Sequence, residues 1–306
     1  MKAPVPGVIR TTASDGRRRP GRAGADAGER IGTSMRDLVS LSAFPKSGVT
    51  YLGFLMFHCL FGDEAPIHDL EKRYVIDIHA WPALPFAVPE APRIVKTHFP
   101  FGLDQPCVGR TAKAVYLIRH PIDVMMSVWD YRRFVDPGDG EEDGPAEGPA
   151  FRRFVRDWVR TGGAGFGFAG TWLHHVRSWL GQREIPVHLV TYPDLVDHPG
   201  RELAAILAFL DLPVSAARQE MAIERSTMRA MAALEAEEVR DRRDGVFYRR
   251  NLARGYERGR RFINKGYRDC YLTMLTDEER ALADRTFGAE LAACFTDQCS
   301  TGADGR

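Results

Sequence analysis

The stretch Leu38–Tyr51 reads LVSLSAFPKSGVTY. Its first seven residues form a short, largely apolar run that suits a buried strand. Pro45 to Gly48 is turn chemistry, and Val49 to Phe61 continues as an apolar segment of helical length. A strand that passes through a tight Lys-Ser-Gly turn into a helix is the opening move of an α/β fold. In such folds ligands gather at the carboxyl ends of parallel strands. The amides of Ser47 to Thr50 are expected to form an anion-binding nest at the helix N-terminus, with the Lys46 ammonium and the Ser47 and Thr50 hydroxyls beside it. An ATPase loop requires GxxxxGK[ST]. Here the lysine precedes the glycine by two residues and the glycine-rich lead is missing, so the loop suits a phosphate but not the ATPase pattern.

Outward from this stretch, strands and helices alternate. Arg93–His98, Ala114–Arg119 and Val187–Tyr192 read as further strands. Pro121 ends the third strand and opens a helix to about Phe134. Phe151, Phe154, Val155, Trp158 and Val159 fall at helical spacing. Thr171–Leu180, Arg201–Leu210 and most of 215–243 are helical, and Thr276 with Glu279 forms a capping box before a last helix. Residues 62–92 read as a loop. The alternation predicts one α/β domain over 36–297, with a central parallel sheet flanked by helices. Residues 1–35, rich in Gly, Arg, Ala and Pro, read as a disordered tail and 298–306 as a second tail. The acidic stretch DPGDGEEDGPAEGP (136–149) reads as a mobile loop.

Composition narrows the function classes. The chain has 306 residues and a formal net charge of +1, which calls for neither nucleic acid nor an anionic membrane. The longest strongly apolar run, Tyr51–Phe61, falls short of the roughly 20 residues of a membrane span, and the N-terminus lacks a signal-peptide core. The five cysteines are odd in number and show no CxxC spacing. They predict reduced thiols in the cytoplasm rather than a disulfide frame or a zinc site. The sequence offers no metal-ligand cluster. Only six of the 42 basic residues are lysine, a skew that suggests a GC-rich bacterial genome. Three of those six, Lys46, Lys96 and Lys265, fall in motifs. Oligomeric state, including a homodimer, is not readable.

Two further stretches join the Lys46 turn: KTHFP (Lys96–Pro100) and RHPIDVMMS (Arg119–Ser127). With AGTWLHHV (169–176), VTYPDLVDHPGREL (190–203), STMRAM (226–231) and FINKG (262–266), their order resembles the PAPS-dependent sulfotransferases of the cytosolic type. PAPS is 3′-phosphoadenosine 5′-phosphosulfate, and PAP is its desulfated product. The resemblance runs from about 38 to 290 without the acidic loop. It implies a P-loop-like sulfotransferase fold and transfer of a sulfuryl group to a hydroxyl or amine of a small acceptor, such as a natural product, without a metal.

The resemblance also implies roles. Lys46 neutralises the leaving 5′-phosphate, held by Ser47, Gly48, Val49 and Thr50. His98 is the general base for in-line attack, the task of an imidazole near neutral pKa. Lys96, two residues earlier on the same side of the strand, stabilises the sulfuryl oxygens. Arg119 and Ser127 take the 3′-phosphate, and Asn264, Lys265 and Gly266 form a later phosphate turn. Tyr51, Tyr192 and Met228 flank adenine, and Thr227 contacts the nucleotide. Phe99, Phe101, Trp81, Phe166 and Phe168, with Phe86, suggest an aromatic acceptor pocket. The chain departs from the family pattern at Val49 (Thr), Tyr51 (Trp), Met228 (Phe), Asn264 (Arg) and Asp269 (Gly). Whether Arg260 or Arg261 replaces the charge lost at Asn264 is open at this level. The competing readings are an ATP-dependent small-molecule kinase and a non-catalytic nucleotide-binding relative. Gly165–Gly170 fits GxGxxG, but it follows a helical pattern rather than a strand, so it predicts a pocket rim or helix break.

Overall fold

A computed structural model describes residues 36–62, 65–80, 84–87, 91–102, 104–135, 148–263 and 266–295. The expected tails, most of the acidic loop, Trp81, Asn264 and Lys265 lie outside the described residues. Along the chain come β1 (Leu38–Ser42), α1 (Val49–Phe61), β2 (Val75–Asp77), β3 (Arg93–Thr97), β4 (Thr111–Ile118), α2 (Pro121–Val135) and α3 (Pro149–Arg160). A short ribbon, β5 (Ala164–Phe166) and β6 (Gly170–Thr171), precedes α4 (Trp172–Gly181) and β7 (Val187–Thr191). The remainder is helical: α5 (Tyr192–Asp197), α6 (Pro199–Phe209), α7 (Ala216–Arg225), α8 (Met228–Asp241), α9 (Ala253–Glu257), α10 (Cys270–Thr273) and α11 (Asp277–Phe295).

Five strands form one parallel sheet in the order β2-β3-β1-β4-β7. Alternation along β4 divides the core. Val115 and Leu117 join Leu41 and Val190 against Leu52, Phe54, Leu55 and Leu207 of α1 and α6. Ala114, Tyr116 and Ile118 face the other way, against Val128, Val155, Trp172 and Phe287 of α2, α3, α4 and α11. Successive side chains point to opposite faces of a strand, and a parallel sheet must be covered on both. The Thr276 box closes as the spacing predicts. The Thr276 amide donates to Glu279 Oε2 (3.0 Å) and the Glu279 amide donates to Thr276 Oγ1 (3.3 Å).

Parallel register brings the carboxyl ends of all five strands to one edge. Ser42 pairs with Thr97 and with Tyr116, Ile118 with Thr191, and Asp77 with Lys96. The segment 62–92, read as loop, contains β2 at the edge of the sheet. Three residues of VID give too little alternation to separate a strand from a loop, yet β2 carries part of the site. No helix among the described residues is long and apolar enough to cross a membrane.

Candidate active site

A cavity of about 530 Å³ opens over this edge. Its first wall is the turn after β1. Two residues there adopt left-handed backbone: Lys46 (φ 70°) and Gly48 (φ 102°). At Gly48 a Cβ would stand 2.5 Å from the Tyr192 ring, so both the φ and the close approach require glycine. The Ser47 amide donates back to Phe44 O (3.2 Å), which corrects the expectation that it faces the ligand. The amides of Gly48, Val49 and Thr50 keep no acceptor among the described residues and stand at the open N-terminus of α1. Ser47 is buried and its Oγ has no partner among the described residues.

Lys46 has no carboxylate within ion-pair distance among the described residues. Its Nζ lies 4.3 Å from the centroid of Tyr131 and 4.1 Å from that of Phe262. Burial, then the charges of Lys96 and Arg119, push its pKa down to about 7. Arg119, just past β4, is 4% exposed. Its Nη1 donates to Lys46 O (3.1 Å), its Nη2 to Tyr267 O, and its guanidinium lies 4.2 Å over the Tyr192 ring. Its Nε has no partner among the described residues. Burial lowers its pKa. Ser127 of α2, Tyr51, Tyr192, Met228 and Gly266 also line the cavity. Gly266 is left-handed (φ 58°), and a Cβ there would meet Met228 Cε at 2.7 Å. Thr227 is not part of the wall. Its Oγ1 instead accepts from the Ala230 amide (3.2 Å) and caps α8. Asp269 also occupies left-handed backbone (φ 57°), a conformation Asp tolerates better than most residues and glycine best.

His98 follows β3. Its Nδ1 lies 2.7 Å from Ala43 O, and a carbonyl can only accept, so Nδ1 carries the proton and Nε2 the lone pair. Burial, then the nearby Lys96 charge, lower the His98 pKa to about 3, well below the near-neutral value expected of it, and keep the ring neutral. Lys96 also reaches the cavity, but it is not the free cation the strand spacing suggests. Its Nζ donates to Glu71 Oε1 (2.5 Å) and stands 3.1 Å from Asp77 Oδ2. The two carboxylates outweigh burial and raise its pKa. Glu71 Oε2 in turn accepts from Arg249 Nη2 (2.8 Å). Sequence reading missed Glu71, Asp77 and Arg249, because a network assembled from three chain segments has no local signature.

The end of the cavity expected to take an acceptor is only partly lined as expected. Phe166 and Phe168, on the β5–β6 ribbon and its connection, line the cavity. The GxGxxG decoy is therefore a cavity rim following α3. Phe99 lies behind the wall, stacked on His79 at 4.5 Å. Phe101 is turned away. It packs edge-on against Trp179 (5.2 Å), and its amide donates to Ser178 Oγ (2.9 Å), so it lines no part of the cavity. Phe86 likewise packs with Leu38, Ile78 and Val95.

Two buried glutamates one helical turn apart on α8 hold the remaining wall. Glu238 accepts from the amides of Val246 (3.0 Å), Phe247 (2.8 Å) and Tyr248 (3.0 Å), and Glu235 from those of Phe262 (2.6 Å) and Ile263 (3.1 Å). Val246, Phe247, Phe262 and Ile263 face the cavity.

The family model described as "Sulfotransferase domain" matches residues 36–295. Sulfotransferase 1A1 of Mus musculus is 28% identical over 197 residues, covering 58% of this chain and 61% of that protein. Sulfotransferase 2B1 of Homo sapiens is 24% identical over 239 residues, covering 71% of this chain and 60% of its own length. The match thus spans about 60% of the length of these curated relatives. Among solved structures, a mouse sulfotransferase complexed with PAP is similar at a TM-score of 0.60 and 20% identity, covering 86% of this chain and 87% of that one. Retinol dehydratase in complex with androsterone and PAP is similar at 0.59 and 18%, covering 84% and 81%. These likenesses show a shared fold. With the family pattern running from the first strand to the last helix, this chain belongs to the sulfotransferase domain family.

Proposed function

We propose that this protein transfers a sulfuryl group from PAPS to a hydroxyl of a small organic acceptor, with His98 as general base. The observation that carries the reading is the unsatisfied cationic end of the cavity. Lys46 and Arg119 meet there with no carboxylate in ion-pair contact among the described residues, beside an unpartnered buried Arg119 Nε and Ser47 Oγ. Buried polar atoms are rarely left unpaired, so this end is built for an anion. Two positive side chains and three open amides suit a nucleotide with separated phosphates. The PAP complexes of the structural neighbours support that choice.

Bound there, PAPS would supply the sulfuryl group and a phosphate leaving group. Lys46 and the amides of Gly48, Val49 and Thr50 would hold the 5′ end and offset the charge that develops on it. Arg119 and Ser127 would hold the 3′-phosphate. Positioning and electrostatic stabilisation dominate reactions of this kind. His98 Nε2 accepts the acceptor's hydroxyl proton as oxygen attacks in line, and Nδ1–H stays on Ala43 O and fixes the ring. Lys96, kept charged by Asp77 and Glu71, contributes field rather than a mobile hand. The aromatic wall supports a phenol or natural-product scaffold as acceptor. Retinol dehydratase, a structural neighbour, is known in complex with retinol or androsterone. The four described cysteines are free thiols, which supports a reducing, cytoplasmic setting.

Thermal unfolding with PAP, with AMP and with ATP plus magnesium tests the reading without an acceptor. A ligand at 100 times its Kd stabilises by about 2.7 kcal/mol. A large shift with PAP and little with AMP is expected. A shift with ATP-magnesium and none with PAP would overturn it in favour of a kinase.

A further inference from the structure

His79 lies two residues past β2 and lines the cavity beside Ala80, Phe166 and Phe168. Its ring is fixed on three sides. It stacks on Phe99 (4.5 Å, 14° between planes), leans on Phe168 (4.7 Å), and stands 5.4 Å from the His98 ring. The His98 backbone amide donates to His79 Nε2 (2.8 Å). An amide can only donate, so Nε2 holds the lone pair and the neutral ring carries its proton on Nδ1. The backbone of His79 is anchored as well, its amide donating to Asp77 Oδ1 (3.0 Å). The Nδ1–H has no acceptor among the described residues. Burial lowers the His79 pKa, so the ring stays neutral and the tautomer is kept.

Two neutral imidazoles therefore stand side by side with opposite polarity. His98 presents a lone pair and His79 presents an N–H. A lone hydroxyl would satisfy only the first. An acceptor with a second oxygen next to its hydroxyl offers a partner to both, and a donor flanked by Phe99 and Phe168 that is left without its acceptor discriminates against acceptors that lack it.

We infer that His79 is a specificity residue that donates its Nδ1–H to an oxygen adjacent to the reacting hydroxyl, so that the preferred acceptors are 1,2-dioxygenated aromatics. This rests on the sulfuryl-transfer reading above only for the reaction that follows binding.

The test is calorimetric titration of 2-methoxyphenol and of its isomer 4-methoxyphenol into the full chain, with and without PAP. The two isomers share size and functional groups and differ in where the second oxygen sits. The wild type is expected to bind the 2-isomer about three- to tenfold more tightly. In His79→Gln the side-chain carbonyl can still accept from the His98 amide, but the Nδ1 donor is gone, and the ratio should fall to about one. In His79→Asn the amide NH2 sits near the Nδ1 position, and part of the preference should survive. A purely structural His79 predicts the reverse order of the two variants. A wild-type ratio near one, or an unchanged ratio in His79→Gln, overturns the inference. Unaltered PAP affinity in both variants checks the fold. Should PAP itself fail to bind, the sulfuryl-transfer reading fails, while the titration without PAP still decides the role of His79.

Discussion

Asp77 and Lys96 are direct register partners on neighbouring parallel strands, and their side chains meet at 3.1 Å on the floor of the cavity. Glu71 closes on the same ammonium from the turn before β2. Lys96 is therefore held between two carboxylates and cannot swing freely to a ligand.

Removing one partner of a buried pair costs about 3–5 kcal/mol, because the other charge stays buried. Lys96→Met leaves Asp77 without its cation, while Glu71 keeps Arg249. It should lower the thermal midpoint by about 6–20 °C at 2–4 °C per kcal/mol. The double variant Lys96→Met/Asp77→Asn should lose less than the sum of the two single variants, measured as a double-mutant cycle.

Lys46 stands in the opposite position, a cation with aromatic neighbours and a pKa of about 7. Its folded pKa lies below the ordinary lysine value, so burial costs stability in full below pH 7, and the cost fades as pH rises toward 10.5. Lys46→Met should thus stabilise the unliganded protein at pH 6.5, by about 1–2 kcal/mol, or about 2–8 °C, with the gain shrinking by pH 9. The same titration controls anion binding. Above pH 7 the ammonium is lost, and the Kd for PAP should rise by up to about tenfold per pH unit. Lys46→Met should bind PAP weakly and without this pH dependence.

His98 is depressed to about 3 and remains neutral across the working range. Its protonation should therefore give no acid limb to kcat/KM between pH 5 and 8. In stability the sign is fixed too. The unfolded chain takes up a proton as pH falls below 6.5 while the folded chain does not, so stability declines from there toward pH 3. His98→Asn should reduce kcat by about 10²–10⁴ with PAP affinity intact, and should flatten that acid decline.

Glu238 gathers three consecutive amides of the cavity wall, and its Oε1 lies 2.9 Å from His68 Nδ1. Glu238→Ala leaves those amides without their acceptor at about 1–3 kcal/mol for each that water cannot reach. The acceptor KM should rise while the Kd for PAP stays near wild type. Equal losses in both would show that the wall is not separable from the nucleotide end.

The sequence made one half of the site far more legible than the other. Lys46, Gly48, His98, Arg119 and Tyr192 sit where a strand gives way to a turn or helix, so apolar runs and turn residues locate them together. The strands on either side of the central turn were readable for the same reason. The β2 half was not. Asp77 ends an edge strand of three residues and His79 follows it, while Glu71 reaches Lys96 across 25 residues of chain and Arg249 across 178. The phenylalanines expected around an acceptor were placed only in part: Phe166 and Phe168 line the cavity, and Phe86, Phe99 and Phe101 do not. Phe101 belongs to the core and Phe262 cages a lysine. Hydrophobicity reports that a ring is buried, not which side of a strand end it falls on.

The strand order has a consequence for how such a protein can change over generations. Lys46, Arg119 and Tyr192 follow the ends of β1, β4 and β7, while Asp77 ends β2 at the sheet margin and His79 follows it. A substitution near β1 disturbs ladders on both sides, while one near β2 disturbs a single ladder of three residues. Innovation is therefore cheapest at the β2 margin. A lineage carrying this arrangement can rewrite one short edge of the cavity and keep the Lys46 end untouched.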